Sequence, residues 1–381
     1  MNNTHLLFSL VDNKEENEKE YKEKLIIRIK DYKLSIKGIK KIVESCSFIF
    51  CDSKPVDVII DISSGIISDE ATIVLLEIII YHIIKYNKGR VKVRQRFHKN
   101  SFSYTYYQNS ILSNWDNDQY INENKYIGMF EEPFDANRHH YRRMVKKVPD
   151  LDKSDFISKV SGDIDTFVSP YFENKKYKDC IVEISGELLG NALEHTTGDC
   201  IFSMTTRNFD TQKGRKKLLN IVVINISNET LDSCLKLKIE NDAFIEERPG
   251  DSLLKKAYNN HKKGFNDSYD LESFCLLSAF QYSITTREEG IETGGTGLTQ
   301  LIKTLSEQSI SQLCYVMSGN KILYFKKEFL KLNEDNTIGF NKSNSYIDDL
   351  PEEENLQNYI FPIKGTVYNL SFILGGGENE K

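Results

Sequence analysis

The sequence predicts an α/β protein with a smaller N-terminal α/β domain and a C-terminal α/β sandwich, in which helices cover one face of a mixed sheet. Three observations lead to this prediction. The chain has 381 residues, which corresponds to roughly two domains. Between residues 56 and 97 a β-branched run, a long apolar helix and an alternating run follow one another. After about residue 150, two helical segments precede two strands.

The N-terminal domain is predicted over residues 1–100. Residues 13–45 are rich in charge and are predicted to form a strand followed by a helix. The run VDVIIDI has the composition of a buried strand, a helix follows at about 69–86, and RVKVRQRF alternates as an edge or half-exposed strand does. Strand, helix and strand in this order predict a βαβ unit. Residues 101–149 are interpreted as an irregular connector.

The C-terminal domain is predicted over residues 150–375. Helical periodicity runs through DFISKVSGDIDTFVSPYF and again through ELLGNALEHT, and CIFSMTTRNF and LLNIVVINIS are predicted strands. A polar stretch with short helices at 228–290 has the character of a lid. The remaining predicted elements are a helix in GGTGLTQLIKTL, the strands SQLCYVMSG and KILYFKK, an acidic insert at about 327–358, a last strand KGTVYNLSFIL and a flexible tail at 376–381.

Composition and charge exclude several classes of protein. The net charge of −6 argues against a protein that coats nucleic acid, and the basic segment RHHYRRMVKK at 138–147 is interpreted as a connector or, alternatively, as a patch that contacts phosphate or nucleic acid. Seven scattered cysteines without CxxC spacing indicate reduced thiols, a cytoplasmic location and no structural zinc site. The apolar stretch TIVLLEIIIYHII is too short to span a bilayer, so a buried helix is predicted and no membrane association is expected.

A row of polar residues is the first candidate site. Glu183, Glu187, Asn191 and His195 are spaced by four, so they lie on one face of the predicted helix, and apolar residues between them supply its buried face. A solvated helix face explains such a row by itself. The row contains no lysine or arginine, however, which is unusual in a chain that is rich in lysine.

A glycine turn is the second candidate site. Gly294, Gly295 and Gly297 permit a turn at the start of a helix, where free backbone N–H groups and the helix dipole favour phosphates. By itself, a tight turn explains these glycines equally well. An acid such as Glu187 beside a phosphate site can polarise a water, and an amide oxygen such as that of Asn191 can bind Mg²⁺. The sequence has no GxxxxGK[ST] motif, which excludes a P-loop.

At these residues the chain resembles the GHKL superfamily, which includes gyrase, histidine-kinase and mismatch-repair ATPases. ELLGNALEHT resembles the N box and GGTGLTQLI the second glycine box. ITTREEG is similar to the segment that precedes this box in many histidine kinases, and GTVYNL resembles the final strand. The resemblance covers about 150–375 and implies a Bergerat-type fold that binds ATP and Mg²⁺.

The resemblance also implies a role for each matching residue. Glu187 would activate the attacking water, Asn191 would bind Mg²⁺, and Arg287 would face the phosphates. Thr366 would lie near the adenine, and His195 would have a structural role. The implied nucleotide-binding set is Asn191, Asn225, Arg287, Gly294, Gly295, Thr296, Gly297, Leu298 and Thr366.

One motif departs from the family's pattern. Where the family has Asp-x-Gly-x-Gly, this chain has INISNET, so Asn225 stands for the aspartate that accepts the adenine amine and Ser227 for the first glycine. An amide oxygen can accept that hydrogen bond, but an amide can also turn round and donate. The sequence therefore leaves the selectivity for the base open. A degenerate pocket that does not bind the nucleotide is the alternative to a working nucleotide site.

The N-terminal and C-terminal domains together lead to three hypotheses for the function. DVIIDISSGIISDEATIVLLEIII followed by GRVKVR resembles the strand-helix-strand of STAS domains, and a generic βαβ unit is the alternative. The first hypothesis is an ATP-hydrolysing switch that controls a protein partner or acts as a homodimer. The second is a serine kinase of the anti-sigma type that acts on a STAS partner. The third is a nucleotide-sensing interaction module without turnover.

Overall fold

The protein divides into two compact units, which we describe separately. One unit contains the described residues up to Val145 together with Ser203–Arg207, and the other contains the remaining described residues after Val145. The computed structural model describes residues 24–29, 33–34, 36–46, 49, 55–63, 66–87, 89–99, 101–132, 134–135, 139–145, 153–172, 175–195, 198–211, 214–245, 247–282, 284, 296–308 and 314–374.

The elements of the N-terminal unit are β1 (Lys24–Arg28), β2 (Lys33–Leu34), α1 (Ile36–Cys46), β3 (Asp57–Asp61), β4 (Ile66–Ile67), α2 (Glu70–Tyr86), β5 (Val91–Arg94), α3 (Phe102–Gln108), α4 (Glu123–Glu131), β6 (Phe134–Asp135) and β7 (His140–Val145). A parallel three-stranded sheet has the order β1-β3-β5, and the two short strands β2 and β4 form a second parallel pair. Residues 203–207 lie beside β7, where Thr206 N–H donates to His139 O at 2.8 Å.

The predicted strand-helix-strand unit is confirmed as β3, α2 and β5. Helix α2 begins after Asp69, whose side chain caps the first turn by accepting from Thr72 N–H at 2.8 Å. Every residue from Glu70 to Ile84 is buried, as expected for a helix that is apolar around its circumference. Strand β5 is an edge strand, as predicted, but Val91–Val93 are buried rather than half-exposed.

The interpretation of residues 101–149 as irregular is wrong for the residues that the structure describes there. Helices α3 and α4 are capped by Ser101 and Asn122, whose side chains accept from backbone N–H groups three residues later, at 3.1 and 2.9 Å. Tyr126 and Phe130 of α4 are fully buried. These aromatic residues supply part of the core, and their short helices carry too few turns for a periodic pattern to be recognised in the sequence.

A buried ion pair holds this unit together at α2. Glu77 of α2 and Arg142 of β7 form a salt bridge in which neither side chain has solvent exposure. Glu77 Oε1 also accepts from Ile111 N–H at 2.7 Å, and the Arg142 guanidinium donates to Ser203 Oγ at 3.3 Å. The pair therefore joins α2, β7, the 3₁₀ turn that begins at Ile111 and the segment 203–207.

The elements of the C-terminal unit are α5 (Lys153–Val168), α6 (Lys175–His195), β8 (Cys200–Thr211), β9 (Gly214–Ile226), α7 (Ser233–Glu240), α8 (Pro249–His261), α9 (Leu271–Ser278), α10 (Thr296–Gln308), β10 (Tyr315–Tyr324) and β11 (Leu356–Leu374). Its strands have the order β10-β11-β9-β8, and β11 is antiparallel to both β10 and β9. Segment 203–207 of β8 belongs to the N-terminal unit.

The order of helices and strands in this unit matches the prediction, with one difference at β10. SQLCYVMSG and KILYFKK were expected to form two strands, but the structure has one strand with register shifts on both sides of Gly319. Gly319 has a φ of +57°, which a glycine adopts without steric cost. The chain therefore bends within one strand instead of turning back.

The predicted lid and the predicted insert pack against each other where they are described. Asp270 caps α9 and pairs with the buried Lys321 of β10 at 2.6 Å, and Lys321 also donates to Asn358 at 2.6 Å. His261 of α8 contacts Tyr346 O at 2.8 Å. These contacts anchor the described part of 228–290, whereas residues 246, 283 and 285–290 lie outside the described residues, as does the predicted tail.

Within the ranges that the structure describes, none of the helices combines the length and the apolar character that are needed to cross a bilayer.

We expect Glu77→Gln to destabilise the N-terminal unit by about 3–5 kcal/mol, because the buried Arg142 loses its compensating charge. Trp115 is the only tryptophan of the chain and lies in this unit, so its fluorescence in a denaturant titration measures the free energy of unfolding there. The control is Arg90→Gln, which breaks the exposed pair with Asp57 and should shift the midpoint much less. Equal shifts for the two variants would contradict the role assigned to the buried pair.

Candidate functional site

Helix α6 presents the predicted polar row at its surface. Glu183 and Glu187 are exposed and Asn191 is partly buried, whereas the intervening Leu188 and Leu189 are buried. His195 is the last residue of the helix, and its side chain lies outside the described residues. The helix packs against α5, α10 and β9, so its polar row occupies the part of its circumference that these elements leave uncovered.

The residues directly before β8 meet the C-terminal end of β9. Ile226 N–H donates to Asp199 O at 2.9 Å, and a Cβ built on Gly198 would lie 2.5 Å from Ile226 O. Only glycine fits this close approach. The start of β8, which follows α6 in the chain, therefore lies beside Ile226, the residue after Asn225.

Asn225 and Thr366, two residues of the predicted site, lie directly opposite each other on β9 and β11. Thr366 N–H donates to Asn225 Oδ1 at 2.5 Å. The residue before Thr366 is Gly365, with a φ of +109°, and a Cβ there would lie 2.1 Å from Asn225 O. The two strands can approach in this way only because position 365 is a glycine. Ser318 of β10 lies opposite Thr366 on its other side, which completes a polar row across three strands.

The predicted phosphate-binding turn is described only from the point where α10 begins. Thr296, Gly297 and Leu298 form the first turn of this helix, and their side chains lie outside the described residues. Residues 285–295, which include Arg287, Gly294 and Gly295, also lie outside the described residues. Helix α10 packs on α6, where Thr304 Oγ1 and Cys180 Sγ are 2.9 Å apart.

A cleft of about 590 Å³ lies between the first half of α6 and the second half of α10. Cys180, Glu183, Lys303 and Glu307 are among the residues that line it. Glu187 and Asn191 do not line this cleft. The predicted polar row therefore extends from the edge of the cleft, at Glu183, towards the C-terminal end of α6.

The sequence did not predict a buried polar cluster in the N-terminal unit. Burial raises the pKa of Glu70 to about 7, and the charges of Arg142 and Arg207 and a hydrogen bond with Thr205 oppose this rise. Burial lowers the pKa of His140 to about 3 and that of Arg142 to about 9. The available signal was a pair of glutamates at positions 70 and 77 in an otherwise apolar helix.

The same cluster corrects the interpretation of RHHYRRMVKK. Residues 140–145 form strand β7 rather than a connector, and the side chains of His140 and Arg142 are buried. Arg142 pairs with Glu77 and is not exposed to solvent, so it cannot contribute to a surface patch for phosphate or nucleic acid. Lys146 and Lys147 lie outside the described residues.

Six of the seven cysteines lie among the described residues. All six described cysteines are free, and Cys46, Cys200, Cys275 and Cys314 are buried. Among the described residues, no group of three or more His, Cys, Asp or Glu side chains is arranged to hold a metal ion.

Comparison with known proteins adds no relative. No protein-family model matches the chain, and searches of curated proteins and of solved structures find no match.

We expect Glu70→Gln to change how the stability of the N-terminal unit depends on pH. A carboxyl group whose pKa is raised by folding, here from 4.5 to about 7, stabilises the fold below pH 4.5, and this contribution is lost as the pH rises towards 7. Glutamine does not titrate, so in Glu70→Gln the contribution of residue 70 to stability does not change with pH. The free energy of unfolding of Glu70→Gln, relative to the unmodified protein, should therefore rise by up to about 1.4 kcal/mol per pH unit across that window.

Denaturation followed by Trp115 fluorescence at several pH values between 4.5 and 7 measures this difference. His140 titrates in the opposite sense, because its lowered pKa reduces stability as the pH falls below 6.5, and it contributes equally to both proteins. A difference between the two proteins that stays constant across the window would show that Glu70 does not titrate there.

Proposed function

We propose that the C-terminal unit is an ATP-binding module of the GHKL type, with a Bergerat-type arrangement, and that it hydrolyses ATP to control a protein partner or a second copy of itself. The observation that supports this best is the juxtaposition of Asn225 with Thr366 at the end of β9, beside the residues that lead from α6 into β8. The resemblance implies that these two residues contact the base of the nucleotide and that α6 binds the metal ion and the attacking water. The sequence separates Asn225 from Thr366 by 141 residues, and folding brings them into hydrogen-bond contact.

Helix α6 offers the chemistry that the proposal requires. Glu187 and Asn191 are one helical turn apart, so their side chains lie on the same face. The carboxylate of Glu187 is exposed and can accept a proton from water. Asn191 supplies an amide oxygen, which suits a hard cation such as Mg²⁺, and bound Mg²⁺ would neutralise phosphate charge. Glu187 would act as the base, and Asn191 would hold the metal.

Three further features complete the proposal: the phosphate site at the start of α10, the cellular compartment and the role of the N-terminal unit. The backbone N–H groups at the start of α10 would bind phosphates, since the first N–H groups of a helix have no partner within the helix. The free thiols of the described cysteines support a reducing compartment, and we place the protein in the cytoplasm on that basis. The N-terminal unit would carry the regulatory or partner-binding role.

Calorimetry of the full chain with ATP, ADP and GTP, with and without Mg²⁺, tests binding. We expect Asn191→Ala to weaken Mg²⁺-dependent binding of ATP by at least about tenfold, because it removes a metal ligand. The matched control is Glu183→Ala, which changes a residue eight positions earlier in the same exposed row and should leave affinity unchanged. Failure of all three nucleotides to bind at millimolar concentration would refute the proposal.

Hydrolysis is tested separately from binding. We expect Glu187→Ala to keep its affinity for ATP and to release phosphate more slowly by about 10²-fold or more, which is the usual effect of losing a general base. Glu183→Ala again serves as the control. If the unmodified protein binds ATP without releasing or transferring phosphate, and Glu187→Ala changes nothing, the module binds nucleotide without turnover.

A further inference from the structure

The orientation of the Asn225 side chain is determined by its hydrogen bond with Thr366. A backbone N–H group is a donor and cannot accept, so the atom that faces Thr366 N at 2.5 Å must be the amide oxygen. A flip of the amide would place its NH₂ group against another donor. The two orientations that the sequence left open are thus reduced to one by the strand register that pairs Thr366 with Asn225.

The other end of this amide is a donor that remains available for a ligand. Asn225 is partly exposed, and in the described part of the chain no hydrogen bond uses its Nδ2 group. The two neighbouring serine hydroxyl groups accept from backbone N–H groups: Ser318 Oγ accepts from Leu231 N–H at 2.8 Å, and Ser227 Oγ accepts from Glu229 N–H at 3.1 Å. Because the oxygen of Asn225 accepts from Thr366 N–H, the group that Asn225 presents at the end of β9 is an NH₂ donor.

We propose that this position recognises a purine with a carbonyl oxygen at position 6, guanine or hypoxanthine, at least as well as adenine. This inference rests on the proposed nucleotide-binding function and specifies the class of base. The 6-amino group of adenine is a donor and faces a donor here, whereas a 6-carbonyl oxygen accepts from Asn225 Nδ2. A carboxylate at position 225 would present an acceptor and would reverse the preference.

Calorimetry of the full chain with Mg²⁺ and ATP, GTP or ITP tests the proposal, and the three nucleotides differ only in the base. We expect GTP or ITP to bind at least as tightly as ATP. Asn225→Asp should shift the ratio of affinities towards ATP by about tenfold, which is the effect of one hydrogen bond gained or lost. This variant keeps an oxygen for Thr366 N–H and therefore keeps the contact between the strands.

The matched control is Asn228→Asp, which introduces the same charge three residues later at an exposed position and should leave the ratio unchanged. ATP binding at least tenfold more tightly than both GTP and ITP to the unmodified protein would overturn the base assignment and leave the nucleotide-binding function standing. An unchanged ratio of the affinities for ATP and GTP in Asn225→Asp would also overturn the base assignment and leave the nucleotide-binding function standing. Failure of all three nucleotides to bind would instead refute the nucleotide-binding function itself.

Discussion

The pairing of β9 with β11 is the constraint on which the C-terminal unit depends. These strands lie antiparallel from the pair of Gly365 and Ile226 to the pair of Leu374 and Lys217, and β10 and β8 add to their two sides. A shift by one residue would turn every side chain to the opposite face of the sheet. The same register places Thr366 N–H against Asn225 Oδ1, so the structural contact and the proposed base contact use one side chain.

Glycine at position 365 makes this register feasible. Its φ of +109° and its close approach to Asn225 O exclude a side chain. Gly198 has the corresponding role where the residues before β8 meet β9, because a Cβ at this position would lie 2.5 Å from Ile226 O. The candidate site is therefore assembled at two places where backbones approach closely, and the functional side chains project from the elements that those glycines bring together.

The N-terminal unit is organised by charge inside an apolar core. Burying Glu77 and Arg142 costs desolvation energy, which their mutual attraction and the hydrogen bonds to Ile111 N–H and Ser203 Oγ offset. Such a pair adds little net stability compared with apolar residues, but either charge without the other is costly. The pair therefore restricts which strand can lie against α2, and it explains why a basic sequence forms the buried strand β7.

Outside residues 101–149 and strand β10, the order of the elements could be predicted from the sequence, because periodicity and β-branched composition are local properties. The strand-helix-strand β3-α2-β5, the helix α6 with Glu187 and Asn191 on one face, and the strands β8, β9 and β11 were all predictable. Tertiary structure decided the rest. The burial of Arg142 depends on Glu77, which lies 65 residues away in the sequence. The orientation of the Asn225 amide depends on a donor 141 residues away, which no local pattern encodes.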